Sequence, residues 1–290
     1  MEISCSSFGD EKNIKILYMN ARSVNNKTQD IGQCMTDHDS DVCCIMETWL
    51  RPEDDMTPRQ LTPTGCSLLQ VPRPHKSGGG VAIMYKSALK MKEQPVQAYS
   101  TFKHLEALLQ TVNNTVHLCI IYRPPSGPMS TFLDEFTLYL DATTIAGGQL
   151  IIVGDFNLHY ESATSQQSQR FRILLSSMNM KQSVMEPTHD KGHILDLIIT
   201  QEQDEDLIQN IHVQPFPLSD HSCIFWDLPF KKPNTVKTTI RTRKLKNINI
   251  EQMMQDIKES SLSKNPPTDL NEYVNCYNNT LKGVLLDMLL

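Results

Sequence analysis

Short apolar runs alternate along the chain with longer stretches of helical period, a pattern that predicts a mixed α/β architecture. Eight runs read as strands: residues 14–19, 41–46, 80–85, 105–112, 116–122, 150–153, 194–199 and 222–228. Most are rich in Val, Ile, Leu and Cys with little polar alternation, as strands covered on both faces are. Helical period marks 26–37, 130–141 and 167–177. In the second of these, Ser130 is placed to cap the first turn, and Phe132, Phe136 and Leu140 fall on one stripe. Strands crowd together between Gly65 and Tyr122, so hairpins and a substantially antiparallel sheet are expected there, not a doubly wound parallel fold. The expected fold is α/β of the α+β kind, a sandwich of two mainly antiparallel or mixed sheets with helices outside.

The pattern changes after Phe230. Lys231-Lys232-Pro233 opens a polar segment, a basic run follows over 237–246, and helical pieces at 250–258 and 270–290 are separated by Pro266-Pro267. The chain is therefore divided into a flexible N-terminal segment, 1–13, a folded domain, 14–229, and a basic linker with a partial helical extension, 230–290. The extension ends on an apolar helix with nothing after it to pack against, as expected of a piece of a longer element. Composition refines this picture modestly. A chain of 290 residues with 39% hydrophobic residues can bury one large core. A formal net charge of -6 argues against a protein that coats nucleic acid through positive charge alone, yet it permits a local basic rim around an acidic, metal-filled centre. The eight cysteines are scattered, with no C-x-x-C pair and no His/Cys cluster at zinc spacing, which predicts free thiols. The first ten residues carry no apolar signal-peptide core, and no apolar stretch reaches the length of a membrane span. A soluble intracellular protein, nuclear or cytoplasmic, is expected.

The chemistry is suggested by the ends of the apolar runs, where a core sheet would meet solvent and where ligand sites form. Asn20 ends the first run, Glu47 the second and Tyr122 a third; Asp155 and Asn157 follow 150–153, Asp196 interrupts 194–199, and Asp220-His221 precede the last. Gathered at one edge, these would supply carboxylates, amides, a phenol and an imidazole. Such a set suits metal-assisted hydrolysis of a phosphodiester, since hard carboxylate oxygens hold Mg²⁺ and donors clamp the nonbridging oxygens.

Seven short blocks in order then carry a family resemblance. They are Ile16-Leu17-Tyr18-Met19-Asn20-Ala21-Arg22-Ser23, Glu47-Thr48-Trp49-Leu50, Gly78-Gly79-Gly80-Val81-Ala82-Ile83, Tyr122-Arg123-Pro124-Pro125, Gly154-Asp155-Phe156-Asn157, Leu195-Asp196-Leu197-Ile198 and Ser219-Asp220-His221-Ser222. The chain resembles the endonuclease/exonuclease/phosphatase family of DNase I-like fold, and within it the endonuclease domain of non-LTR retrotransposon reverse-transcriptase polyproteins. The resemblance implies a four-layered α/β sandwich and a Mg²⁺-dependent enzyme, with Mn²⁺ as substitute, that nicks DNA. It also implies a reverse transcriptase domain in a longer parent protein. Carried over residue by residue, Glu47, Asn20 and Asp220 would hold metal, while Asp155 and Asn157 would handle the attacking water. Tyr122 and His221 would contact the phosphate, Asp196 would orient His221, and Thr188, Arg123 and Ser219 would bind substrate. Arg22 stands where abasic-repair enzymes carry an acid, which favours a single-metal site centred on Glu47.

Taken singly, each residue has a plainer reading. Glu47 fits a solvated strand end, Asp155-Phe156-Asn157 a turn, and His104, His117 and His193 satisfied core or surface imidazoles. Asp196 is the exception, because a carboxylate inside an apolar run needs a partner. Gly78-Gly79-Gly80 lacks the Lys-Ser/Thr of a phosphate loop and reads as a tight turn. Two alternatives remain open: the same fold acting on RNA, an inositol phosphate or a lipid headgroup, and a catalytically idle relic kept as a binding module.

Overall fold

The computed structural model describes residues 13–72, 79–145, 148–232 and 250–287. Contacts divide the chain into Met1–Thr235 and Val236–Leu290. In the first unit, one sheet holds β1 (Ile14–Asn20), β2 (Val42–Met46), β3 (Cys66–Val71), β4 (Val81–Lys86), β11 (Gln209–Gln214) and β12 (Cys223–Leu228). The other holds β5 (Lys90–Glu93), β6 (Lys103–Gln110), β7 (Thr115–Tyr122), β8 (Gln149–Asp155), β9 (Met180–Gln182) and β10 (Asp196–Gln201). Their spatial orders are β11-β12-β1-β2-β4-β3 and β5-β6-β7-β8-β10-β9. The helices of this unit are α1 (Thr28–Asp37), α2 (Met56–Leu61), α3 (Met129–Ile145) and α4 (Gln166–Ser177). The second unit contains α5 (Ile250–Glu259), α6 (Ser261–Lys264) and α7 (Leu270–Asp287). The basic run 237–246 and Gly78 lie outside the described residues. No helix among the described residues is long and apolar enough to cross a membrane.

Each sheet contains one parallel pair, β1 with β2 and β7 with β8, and its other pairings are antiparallel. A parallel pair needs a crossover, and α1 and α3 supply the two. α3 begins at Met129, and Phe132 N bonds Pro128 O, so Ser130 lies inside the first turn and does not cap it as expected. The predicted stripe does form, with Phe132, Phe136 and Leu140 fully buried against the second sheet.

Alternation along the strands sets which side chains face the space between the sheets. Ile16, Tyr18, Cys44 and Met46 of the first sheet share a core with Leu105, Leu118, Ile120 and Val153 of the second. Leu17, Met19, Cys43 and Ile45 point the other way and pack on Ile31 and Met35 of α1. Asn20 therefore continues the inward face of Tyr18. The two parallel pairs end at Asn20 and Met46 in one sheet and at Tyr122 and Asp155 in the other. An antiparallel neighbour starts where a parallel pair ends, so β10 begins at Asp196 in register with Asp155. This topology gathers polar residues scattered from 20 to 221 at one edge of the sandwich.

Candidate active site

The residues at this edge form one hydrogen-bonded network. Asn20 Nδ2 donates to Glu47 Oε1 (3.3 Å) and Asp155 Oδ2 (3.1 Å), linking a carboxylate from each sheet. Asn157 donates its backbone N–H to Asp155 Oδ1 (2.9 Å) and its amide to Asp155 Oδ2 (3.0 Å) and Arg123 O (2.8 Å). His221 Nδ1 meets Asp196 Oδ2 at 2.8 Å, and Tyr18 Oη donates to the other oxygen, Asp196 Oδ1, at 2.5 Å. One donor atom from each of Asp155, Asp196 and His221 lies within 4.8 Å of the others. Asn20, Asp155 and Asp196 are all but sealed from solvent, and His221 is 7% exposed.

Several of these groups sit on backbone that ordinary residues avoid. Strand alternation continued past Met46 would turn Glu47 to the outer face, but Glu47 and Trp49 adopt left-handed φ values of 50° and 56° and break the alternation. The turn is held by Thr48 N and Trp49 N, which bond Gly80 O and Gly79 O (3.1 and 2.9 Å), and by Ser23 N on Glu47 O (2.7 Å). Gly80, with φ 84°, allows the close approach, since a Cβ there would lie 2.5 Å from Thr48 Oγ1. Trp49 Nε1 donates to Glu47 Oε2 at 3.1 Å and fixes that carboxylate from the far side.

Burial and like charge act strongly on the site. Burial, and then the charge of Asp196, push the Asp155 carboxyl well above its ordinary range, opposed by the charge of His221. Burial would depress the His221 imidazolium, but the charge and hydrogen bond of Asp196, joined by Asp155 and Asp220, outweigh it and raise its pKa to about 9. Burial and the Asp196 charge likewise push the Tyr18 phenol well up, so its hydroxyl remains a donor. Tyr18→Phe would leave Asp196 Oδ1 buried without this partner, at a cost of about 1–3 kcal/mol measurable by urea unfolding. An unchanged unfolding midpoint would remove Tyr18 from the network.

Three residues expected to bind substrate are turned to the protein instead. The Arg123 guanidinium is 2% exposed, donates to Phe156 O, Asn157 O and Gly127 O, and lies over Phe132. Thr188 is fully buried, and its Oγ1 accepts from Leu195 N and Asp196 N. Ser219 Oγ donates to Asn20 O (2.7 Å) and accepts from His221 N (3.2 Å). Each of the three is tied by hydrogen bonds to the backbone around the carboxylates and His221. Asp220, expected among the metal ligands, pairs with Arg22 Nη1 at 2.5 Å and lies 3.5 Å from His189 Nε2. Asn20 offers the carboxylates its amide nitrogen, while its oxygen accepts from Arg22 N (3.1 Å). Tyr122 stands at the end of β7 in register with Asp155. Sequence reasoning missed Tyr18, the Trp49 bond to Glu47, and His189, whose ring lies 4.9 Å from and nearly perpendicular to that of His221. Tyr18 was accessible in principle, because it lies two residues before Asn20 and so on the same strand face.

Two mixed six-stranded sheets thus bring a set of carboxylates, amides and an imidazole to one edge. Residues 13–221 match the Endonuclease/Exonuclease/phosphatase family, and the chain belongs to it. No curated protein matches by sequence. Among solved structures, the endonuclease domain of TRAS1, a telomere-specific non-LTR retrotransposon, is similar with 16% identity and a TM-score of 0.61, over 77% of this chain and 100% of that one. The AP endonuclease LMAP from Leishmania major is similar with 15% identity and a TM-score of 0.60, over 78% and 90%. The Neisseria 3′ phosphatase NExo bound to a product DNA hairpin gives 15% and 0.57, over 75% and 100%. At such identities the likeness is one of fold.

Proposed function

We propose that this chain is a divalent-metal-dependent endonuclease that hydrolyses one strand of DNA. The observation that carries the reading is the buried Tyr18, Asp196 and His221 relay set beside the linked carboxylates Glu47 and Asp155. The DNA hairpin named with the Neisseria enzyme, and the similarity to the endonuclease domain of the TRAS1 retrotransposon, support the choice of substrate. The donors suit a hard cation: Glu47, Asp155 and Asp196 crowd three carboxylates together, and their mutual repulsion helps to push Asp155 up. Glu47, with Asp155 next to it, would hold Mg²⁺ or Mn²⁺, which when bound neutralises charge on the phosphate.

The remaining roles fall to the chain itself. Asp155, held by Asn157 and Asn20, is placed to take a proton from the attacking water. His221, cationic and anchored through Nδ1 on Asp196, keeps Nε2–H as its free donor for a phosphate oxygen. Tyr122 offers a phenol from the neighbouring strand end. Arg123, Thr188 and Ser219 hold these groups through backbone bonds.

Purified protein is expected to convert supercoiled plasmid to open circles with Mg²⁺, and Asp155→Ala to slow the reaction on the order of 10²–10⁴-fold. Intact plasmid, or a variant as fast as the wild type, would sink the proposal. Faster turnover of RNA, an inositol phosphate or a lipid headgroup would move it to another substrate. Mn²⁺ calorimetry with Glu47→Gln as control distinguishes an enzyme from a relic that binds no metal.

A further inference from the structure

The face of β6 and β7 that turns away from the first sheet carries a second cluster, unconnected with phosphodiester chemistry. His104 and Glu106 alternate along β6, and His117 and Cys119 along β7. Antiparallel register sets Glu106 opposite Cys119 and Leu108 opposite His117, so the two pairs become neighbours only across the hairpin. His117 Nε2 lies 2.7 Å from Glu106 Oε2, and His104 Nε2 lies 3.4 Å from Glu106 Oε1. One donor atom from each of Glu106, His117 and Cys119 falls within 4.8 Å of the others. All four residues are buried, at 5%, 8%, 8% and 0% exposure. Tyr139 of α3 covers them, its ring 5.2 Å from that of His104.

We propose that His104, Glu106, His117 and Cys119 form a binding site for one Zn²⁺ ion. Two imidazoles, a thiol and a carboxylate make a four-donor set of the borderline softness that zinc prefers, whereas Mg²⁺ favours oxygen alone. Two further observations point to a ligand. His104 Nε2 is buried without a hydrogen-bond partner, its approach to Glu106 lacking the alignment of a bond. A cavity of about 610 Å³, lined by His104, Glu106, His117 and Tyr139, gives an ion a path to the cluster. On binding, the Cys119 S–H bond breaks as the Zn–S bond forms, any proton on a ligating imidazole nitrogen, such as that of His117 Nε2 on Glu106, is lost as the Zn–N bond forms, and these protons leave to solvent. The plainer reading is an ion pair between Glu106 and two histidines. That reading makes no use of Cys119 and leaves His104 Nε2 without an aligned hydrogen bond.

The test uses the full chain, stripped with EDTA and titrated with Zn²⁺ against a chromophoric chelator. One Zn²⁺ per chain is expected, and Cys119→Ser and His117→Ala should each weaken it by at least about tenfold. A His159→Ala, His193→Ala double variant should keep it, which excludes the more exposed group of His159, Glu161 and His193. Co²⁺ loaded in place of zinc should show a thiolate-to-metal absorption band that Cys119→Ser abolishes. No binding, binding indifferent to Cys119→Ser, or loss in the His159 and His193 variant overturns the proposal. If the substitutions unfold the chain, wild-type protein with Co²⁺ and no thiolate band overturns it equally.

Discussion

Gly154→Ala is expected to destabilise the folded chain by more than about 4 kcal/mol and to leave most of it insoluble on expression. A Cβ at this position would stand 1.8 Å from Ile121 O and within 3 Å of two more atoms of the same backbone. Ile121 is the register partner of Gly154 in the parallel pair β7 and β8, so relief requires those central strands to part. Side-chain rotation cannot help, since the obstacle is main chain. The change also sits next to Asp155, whose backbone O accepts from Arg123 N (2.9 Å), so any fraction that folds should have the Asp155 carboxylate displaced. Urea unfolding of purified variant and wild type measures the difference. A loss under 1 kcal/mol would mean that β7 and β8 do not pair in this register.

Nicking by the wild type is expected to fall as pH rises through about 9, the pH at which His221 loses its proton. Asp196→Asn removes the largest of the charges that hold the proton, together with its hydrogen bond, and leaves only Asp155 and Asp220 to oppose burial. The alkaline limb of kcat/KM should then move into the neutral range, and the rate at neutral pH should drop on the order of a hundredfold or more. Limbs at the same pH in both proteins would detach His221 from the reaction, and an NMR titration of its ring supplies an independent reading. The same coupling bears on stability. The folded pKa lies above the ordinary 6.5, so its contribution is complete below pH 6.5 and disappears as pH rises through about 9. Without divalent cation that contribution is about 3 kcal/mol.

The candidate site was legible where residue type alone carried it. Carboxylates, amides and an imidazole at the ends of apolar runs meet in the fold because parallel pairs end, and their antiparallel neighbours begin, at one edge. Direction and burial were not legible. Arg123, next to Tyr122, reads in the chain as a cation free to meet phosphate, and it is spent on three backbone carbonyls over Phe132. Glu47 comes within reach of Asn20 through a left-handed turn that alternation would not anticipate. The histidines of the hairpin carry no metal spacing along the chain, because His117 and Glu106 are neighbours only across strands.

The eight strands expected from apolar runs all form, and each lies inside a sheet with a partner on either side. The four that were not expected, β3, β5, β9 and β11, are the four sheet edges. An edge strand is covered on one side only, so it is short or polar, as Lys90–Glu93 and Gln209–Gln214 are, and leaves no apolar run to read. The sequence by itself therefore determined the two buried sheet centres, the helices that cross between their parallel strands, and the chemical types gathered at one end. Tertiary structure alone decided where each sheet stops, which polar groups face one another and which are consumed in holding the rest. Hydrophobic burial is written residue by residue, but partnership between polar groups depends on register and backbone direction, which arise only when distant strands pair.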